Sequence, residues 1–120
     1  MFKTCSHCRH RWSTREDFLA DPLVKIIGYQ VNFDHLESGL LLFNHLEDNC
    51  RTTISLKVDA FSDLFNGRIF EERLTGSSEC PGYCLKKNIL KSCPAKCECK
   101  YVREVIQLIL KHPKKINVVP

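Results

Sequence analysis

Cys5 and Cys8 stand with two residues between them near the start of the chain, and far along the sequence His45 and Cys50 stand with four residues between them. Thiolate and imidazole are the donors that zinc prefers, and four of them saturate a tetrahedral ion. The C-x-x-C spacing suits a tight turn that aims both sulfurs into one pocket. His7, His10 and His35 are further candidates for the nitrogen ligand. Arg9 follows Cys8 where haem attachment requires histidine, and only four residues precede Cys5, too few for the strand that leads into a thioredoxin-type pair.

A second constellation repeats one phrase. Cys80-Pro81-Gly82-Tyr83-Cys84 and Cys93-Pro94-Ala95-Lys96-Cys97 both read C-P-x-x-C, thirteen residues apart. Proline suits the first position of a helix, which makes each leading cysteine a cap and places the trailing one on the same face. A helix N-terminus also favours thiolate over thiol. Cys80, Cys84, Cys93 and Cys97 are therefore expected to hold a second zinc, an iron–sulfur cluster, or two disulfides. Cys99 is a fifth thiol. In a helix continuous from Pro94 to Lys111 it faces away from the others; if the helix starts only near Lys100, Cys99 substitutes for Cys93 or Cys97 as a ligand.

No Gly-rich phosphate loop, G-x-S-x-G or H-E-x-x-H is present, so catalysis has no evident carrier. His35-Leu36-Glu37 and His45-Leu46-Glu47 match H-x-E, but the P-C-x-x-C half of the zinc-deaminase signature is missing. The net charge of +4 divides unevenly: residues 1–84 carry 9 basic and 12 acidic side chains, −3, whereas residues 85–120 carry 9 and 2, +7. Loaded metal sites built on thiolates would lower the total. Arg9, His10, Arg11, Trp12 and Arg15 form a basic and aromatic cluster that could grip nucleic acid, although a lone Trp in a small domain is expected in the core. Lys86, Lys87, Lys91, Lys96, Lys100 and Arg103 give the C-terminal part a basic face.

The 120 residues, 43% hydrophobic with 5 Gly and 5 Pro, fit a small folded chain whose core benefits from a metal or covalent staple. Neither a long apolar run nor a signal-peptide pattern is read, so a reducing, cytoplasmic setting is expected, where paired thiols favour metal over disulfides. Ser13 and Glu16 suggest a capping box for a helix carrying Phe18 and Leu19 and ended by Pro22. Ile27, Tyr29, Val31 and Phe33 alternate as one face of a strand, Leu40 to Phe43 form a second, and Ile54, Leu56 and Val58 a third. A helix from Asp59, carrying Phe61, Leu64 and Phe65, should stop at a left-handed Gly67. Thr75 to Ser78 mark a boundary between domains of residues 1–75 and 76–120. A final helix carries Val102, Val105, Ile106 and Ile109 on one face.

Residues 1–60, with Cys5, Cys8, His45 and Cys50 on two turns, resemble the zinc-ribbon and rubredoxin-like knuckle arrangement, in which two turns of a small antiparallel sheet clamp a metal. The pattern differs in having His45 where cysteine is common and in the long insertion 9–44, which disfavours a redox iron. The C-x3-C pair is also similar to the twin-CX3C proteins, whose two disulfides cross a helical hairpin. The resulting expectation is an α+β protein: a small antiparallel three-stranded sheet with zinc-ribbon-like knuckles, plus a C-terminal Cys-rich helical module. Two structural zinc ions would support a non-catalytic interaction or regulatory role toward a protein partner. An iron–sulfur carrier, a thiol–disulfide switch and a nucleic-acid-binding zinc protein are the alternatives.

Overall fold

The computed structural model describes residues 1–115. Two short strands, β1 (Lys3–Thr4) and β2 (Arg11–Trp12), pair antiparallel around the first cysteines. Helix α1 (Arg15–Ala20) follows, capped by Thr14, whose hydroxyl accepts the Asp17 N–H at 3.1 Å. The cap thus lies one residue beyond the expected Ser13. Strands β3 (Val24–Gln30), β4 (Leu40–His45) and β5 (Thr52–Lys57) form an antiparallel sheet in that order. The three-stranded α+β architecture is as expected. Among the described residues no helix is long and apolar enough to cross a membrane.

The buried face of β3 differs from the simple alternation. Ile27 is an extra residue between the pairs Ile26–Phe43 and Gly28–Leu42. This bulge reverses the parity, so Val24, Ile26 and Tyr29, rather than Ile27, Val31 and Phe33, share the buried face with Leu41, Phe43 and His45. The strand ends before Val31, and the Asn32 side chain accepts the N–H groups of Asp34 and His35, a turn that competes with extended pairing.

Residues 58–64 form two 3-10 turns, Val58–Ala60 and Ser62–Leu64, instead of one helix. No side chain caps either turn, and so short a segment cannot repay helix nucleation. Gly67 has no left-handed backbone; among the glycines that conformation belongs to Gly76 and Gly82. Phe61 is nevertheless fully buried, and Arg15 reaches across from α1 to the Ala60 carbonyl and Asp63.

Helix α2 (Lys100–Lys111) buries Val102, Val105, Ile106 and Ile109 as its periodicity requires. These side chains join the sheet, α1 and the first strands in one core cluster. Phe18 is its aromatic hub, with ring centroids of Phe43 at 4.9 Å, Trp12 at 5.0 Å and Phe2 at 5.5 Å. Lys114 donates to the carbonyls of Leu19 and Val24, fastening the segment just after α2 to α1 and β3.

The free edge of β3 is closed by the segment before α2: the Tyr29 N–H donates to the Lys87 carbonyl at 2.7 Å. A Cβ at Gly28 would meet that same oxygen at 2.8 Å. Gly28→Ala must therefore push the segment off the strand, and we expect a loss of about 1–3 kcal/mol in chemical denaturation, the range for overpacked sites.

Candidate metal centre

The first four predicted ligands converge. The donor atoms of Cys5, Cys8, His45 and Cys50 all lie within 4.8 Å of one another. The Cys5 and Cys50 sulfurs are 3.5 Å apart, and the Cys8 sulfur is 3.6 Å from His45 Nδ1. Bonds of about 2.3 Å to sulfur and about 2.0 Å to nitrogen give tetrahedral edges of about 3.5–3.8 Å, so these two edges match a tetrahedral ion of zinc size, and the donor types are those zinc takes. Cys5 and His45 are buried; Cys8 and Cys50 are partly exposed.

Two turns of the same design present these donors. In the first, β1 and β2 bring the chain around so that Arg9 N–H donates to the Cys5 carbonyl and Cys5 N–H to the His10 carbonyl. In the second, between β4 and β5, the N–H groups of Cys50 and Arg51 both donate to the Glu47 carbonyl. The residue after the last cysteine is left-handed in each: Arg9 at φ 68° and Arg51 at φ 51°. This is a position glycine favours, and arginine occupies it at a cost of about 1–2 kcal/mol. The β1–β2 pair has no periodicity to announce it at two residues per strand; the cysteine spacing was its only sequence signal.

His45 ends β4 on the buried face, where its ring packs edge-on to Trp12 at 5.0 Å. Trp12 is itself buried and donates its indole N–H to Asp21 at 2.9 Å. It belongs to the core and offers no stacking surface to a nucleobase. His7 and His35 are exposed and outside the cluster, and the His10 ring leans on Trp12 rather than joining the four donors.

Burial raises the Cys5 thiol, but hydrogen bonds from the backbone of Cys8 and His7 and from the His45 and Cys50 side chains outweigh it and bring the thiol down to about 6. Its neighbour goes the other way: burial and the adjoining Cys5 and Cys8 sulfurs push Cys50 up to about 11. Metal binding by these cysteines would displace their thiol protons.

Among the described residues the Cys5, Cys8, His45 and Cys50 set is the only group of three or more such donors gathered closely enough to hold an ion, and the C-terminal cysteines are arranged differently from the helical-cap picture. Helix α2 starts at Lys100, with Cys99 as its N-cap residue, so the expected helix over 94–99 is absent. Long-range bonds hold this stretch instead: Leu74 N–H donates to the Cys97 sulfur at 3.2 Å and Glu98 N–H to the Glu72 carbonyl at 2.8 Å. In the first copy, Gly82 is left-handed and Tyr83–Leu85 is a single 3-10 turn. Cys84 and Cys99 sulfurs lie 3.2 Å apart, and Cys99 and Cys97 sulfurs 3.5 Å apart. Cys80 and Cys93 have no hydrogen bond to another sulfur among the described residues. Cys80 accepts the Gly82 N–H at 3.3 Å, and Cys93 offers its carbonyl to Lys100.

The hydrogen bond with Cys99, helped by Arg103 and opposed by burial, draws Cys84 down to about 6. The same contact, with burial and the neighbouring sulfurs, drives Cys99 far up. Arg103 was expected on a basic surface; it is instead fully buried, its guanidinium 5.5 Å from the Tyr29 ring centroid and 5.9 Å from that of Tyr83. Helical periodicity places it one residue from Val102 at the margin of the apolar face, a signal too weak to outweigh its charge.

Cys5→Ser and His45→Ala should each remove one metal ion per chain and with it much of the ~10 kcal/mol that structural zinc binding contributes to folding in small domains. His7→Ala, His10→Ala and His35→Ala should keep full metal content. Metal analysis paired with thermal melting reads both. Arg51→Gly relieves a left-handed arginine while adding unfolded-state entropy, and should stabilise the zinc-loaded protein by less than about 1 kcal/mol.

No family model matches the chain, and no similar protein was found among curated proteins or solved structures.

Proposed function

We propose that the protein is a small zinc-stabilised module whose role is non-catalytic: it presents a surface to a protein partner in a reducing, cytoplasmic setting. One observation carries this reading. Cys5, Cys8, His45 and Cys50 come within 4.8 Å of one another. Four protein donors fill a tetrahedral ion and leave no open position for substrate or activated water. The site is therefore of the structural kind, holding two turns that are separated by much of the sheet. The reading extends to a second zinc among the C-terminal cysteines, Cys80, Cys84, Cys93, Cys97 and Cys99.

A redox role is the second reading, favoured by the 3.2 Å separation of the Cys84 and Cys99 sulfurs, from which a disulfide would form with little movement. Anaerobic purification followed by metal analysis, a visible spectrum and thiol titration separates the two. We expect a colourless protein with close to two zinc ions per chain and no disulfide. Brown absorbance would transfer the function to an iron–sulfur electron carrier. Metal-free protein that has lost two or more titratable thiols would make it a disulfide switch. Nucleic-acid binding should be weak and salt-sensitive, because phosphate contacts alone are strongly reduced by physiological salt. Tight binding of an oligonucleotide at that salt would overturn the protein-partner reading.

A further inference from the structure

The buried guanidinium of Arg103 poses a problem that the rest of the fold does not solve. The residue is 0% exposed, and its Nε and Nη2 have no hydrogen-bond partner among the described residues. Its one acceptor is the Ile89 carbonyl, reached by Nη1. No carboxylate among the described residues lies within ion-pair distance of it. The two tyrosine faces beside it supply only a partial negative potential. A buried cation with so little compensation requires an anion close by.

Sulfur is what stands there. Cys84 directly follows Tyr83, whose ring centroid stands 5.9 Å from the guanidinium, and Cys84, Cys99 and Cys97 follow in a row at 3.2 Å and 3.5 Å. All three are buried, and the Cys97 sulfur takes the Leu74 N–H, so the row is held from a segment remote in sequence. Neutral thiols carry no charge to answer Arg103, and a lone Cys84 thiolate would supply a single one. A zinc-class ion bound by four thiolates carries −2 with its ligands.

We propose that Cys84, Cys97 and Cys99, completed by Cys80, bind a second soft divalent metal ion, and that Arg103 is the buried counter-charge of that centre. Cys80 is chosen over Cys93 because its sulfur receives a peptide N–H from two residues ahead, at Gly82. No hydrogen bond reaches the Cys93 sulfur among the described residues. An open cleft lined by Tyr29, Val31, Cys84 and Lys87 gives Cys84 a route from solvent. The proposal names the ligands of the second site in the function proposed above, and it replaces the symmetric pairing of two C-P-x-x-C caps with an asymmetric set that leaves Cys93 out.

The test is cadmium-113 NMR of the full-length chain, reduced and loaded with cadmium alone. Two resonances are expected, one at the shift of three sulfurs with one nitrogen and one at that of four sulfurs. Absence of the first would end the assignment of the Cys5 site; absence of the second would end this proposal, so the two failures are separate. Cys99→Ser should shift or erase the four-sulfur resonance while retaining the other, whose survival reports that the fold persists. Cys93→Ser should leave both. Retention of an unchanged four-sulfur signal in Cys99→Ser, or its loss in Cys93→Ser, overturns the ligand set. Arg103→Met should weaken cadmium affinity at the second site about 10- to 100-fold, the range for residues that support metal ligands, with Arg103→Lys recovering part of the loss. Equal affinity in wild type and Arg103→Met would refute the counter-charge role.

Discussion

Sulfurs at residues 5 and 8 must meet an imidazole at residue 45 and a sulfur at residue 50, and most of the N-terminal architecture follows from that closure. Strands β1 and β2 are too short to persist alone, and their connecting turn gains its shape from the ligands it carries. The loop between β4 and β5 is likewise ordered around Cys50. Since ligands so distant in sequence find one another only when the β4–β5 loop lies beside the β1–β2 turn, a metal here would act as a crosslink between those two turns at one end of the sheet. The aromatic chain from His45 through Trp12 and Phe18 to Phe43 then connects the centre directly to the apolar core. The packing that shields the donors from water also stabilises the fold.

The C-terminal half obeys a different constraint, the need to balance charge inside a small interior. Arg103 sits on α2 between the apolar positions Val102 and Val105 and is carried into the core with them. Tyr29, brought onto the buried face by the bulge at Ile27, forms one wall of its pocket, and Tyr83 forms the other. The sheet, the helix and the cysteine loops thus share one electrostatic neighbourhood.

What could be read from the sequence was what depends on neighbours. The C-x-x-C spacing, the apolar run of β4 and the apolar stripe of α2 are local patterns, and each appears where expected. His45 and Cys50 were legible as ligands because a hairpin loop concentrates them. The misread features are those set by distant partners. The bulge in β3 depends on register against β4, and the late start of α2 depends on bonds from residues 72 and 74 that override the helix-start signal of Pro94. No window of sequence reveals that Arg103 will lie beside the rings of Tyr29 and Tyr83, because these meet only after the cysteine loop folds back over the sheet.

The contact between Tyr29 and Lys87 has a further consequence. Strand β3 is a sheet edge, and an uncovered edge is a template for pairing with another chain. Here the loop before α2 occupies a backbone donor of that edge, and Gly28 lets it lie flush. Proteolytic nicking or local release of residues 76–99 would bare an apolar strand end beside Val31 and Phe33. The loop before α2 therefore occupies part of an edge that would otherwise be open to pairing with a further strand.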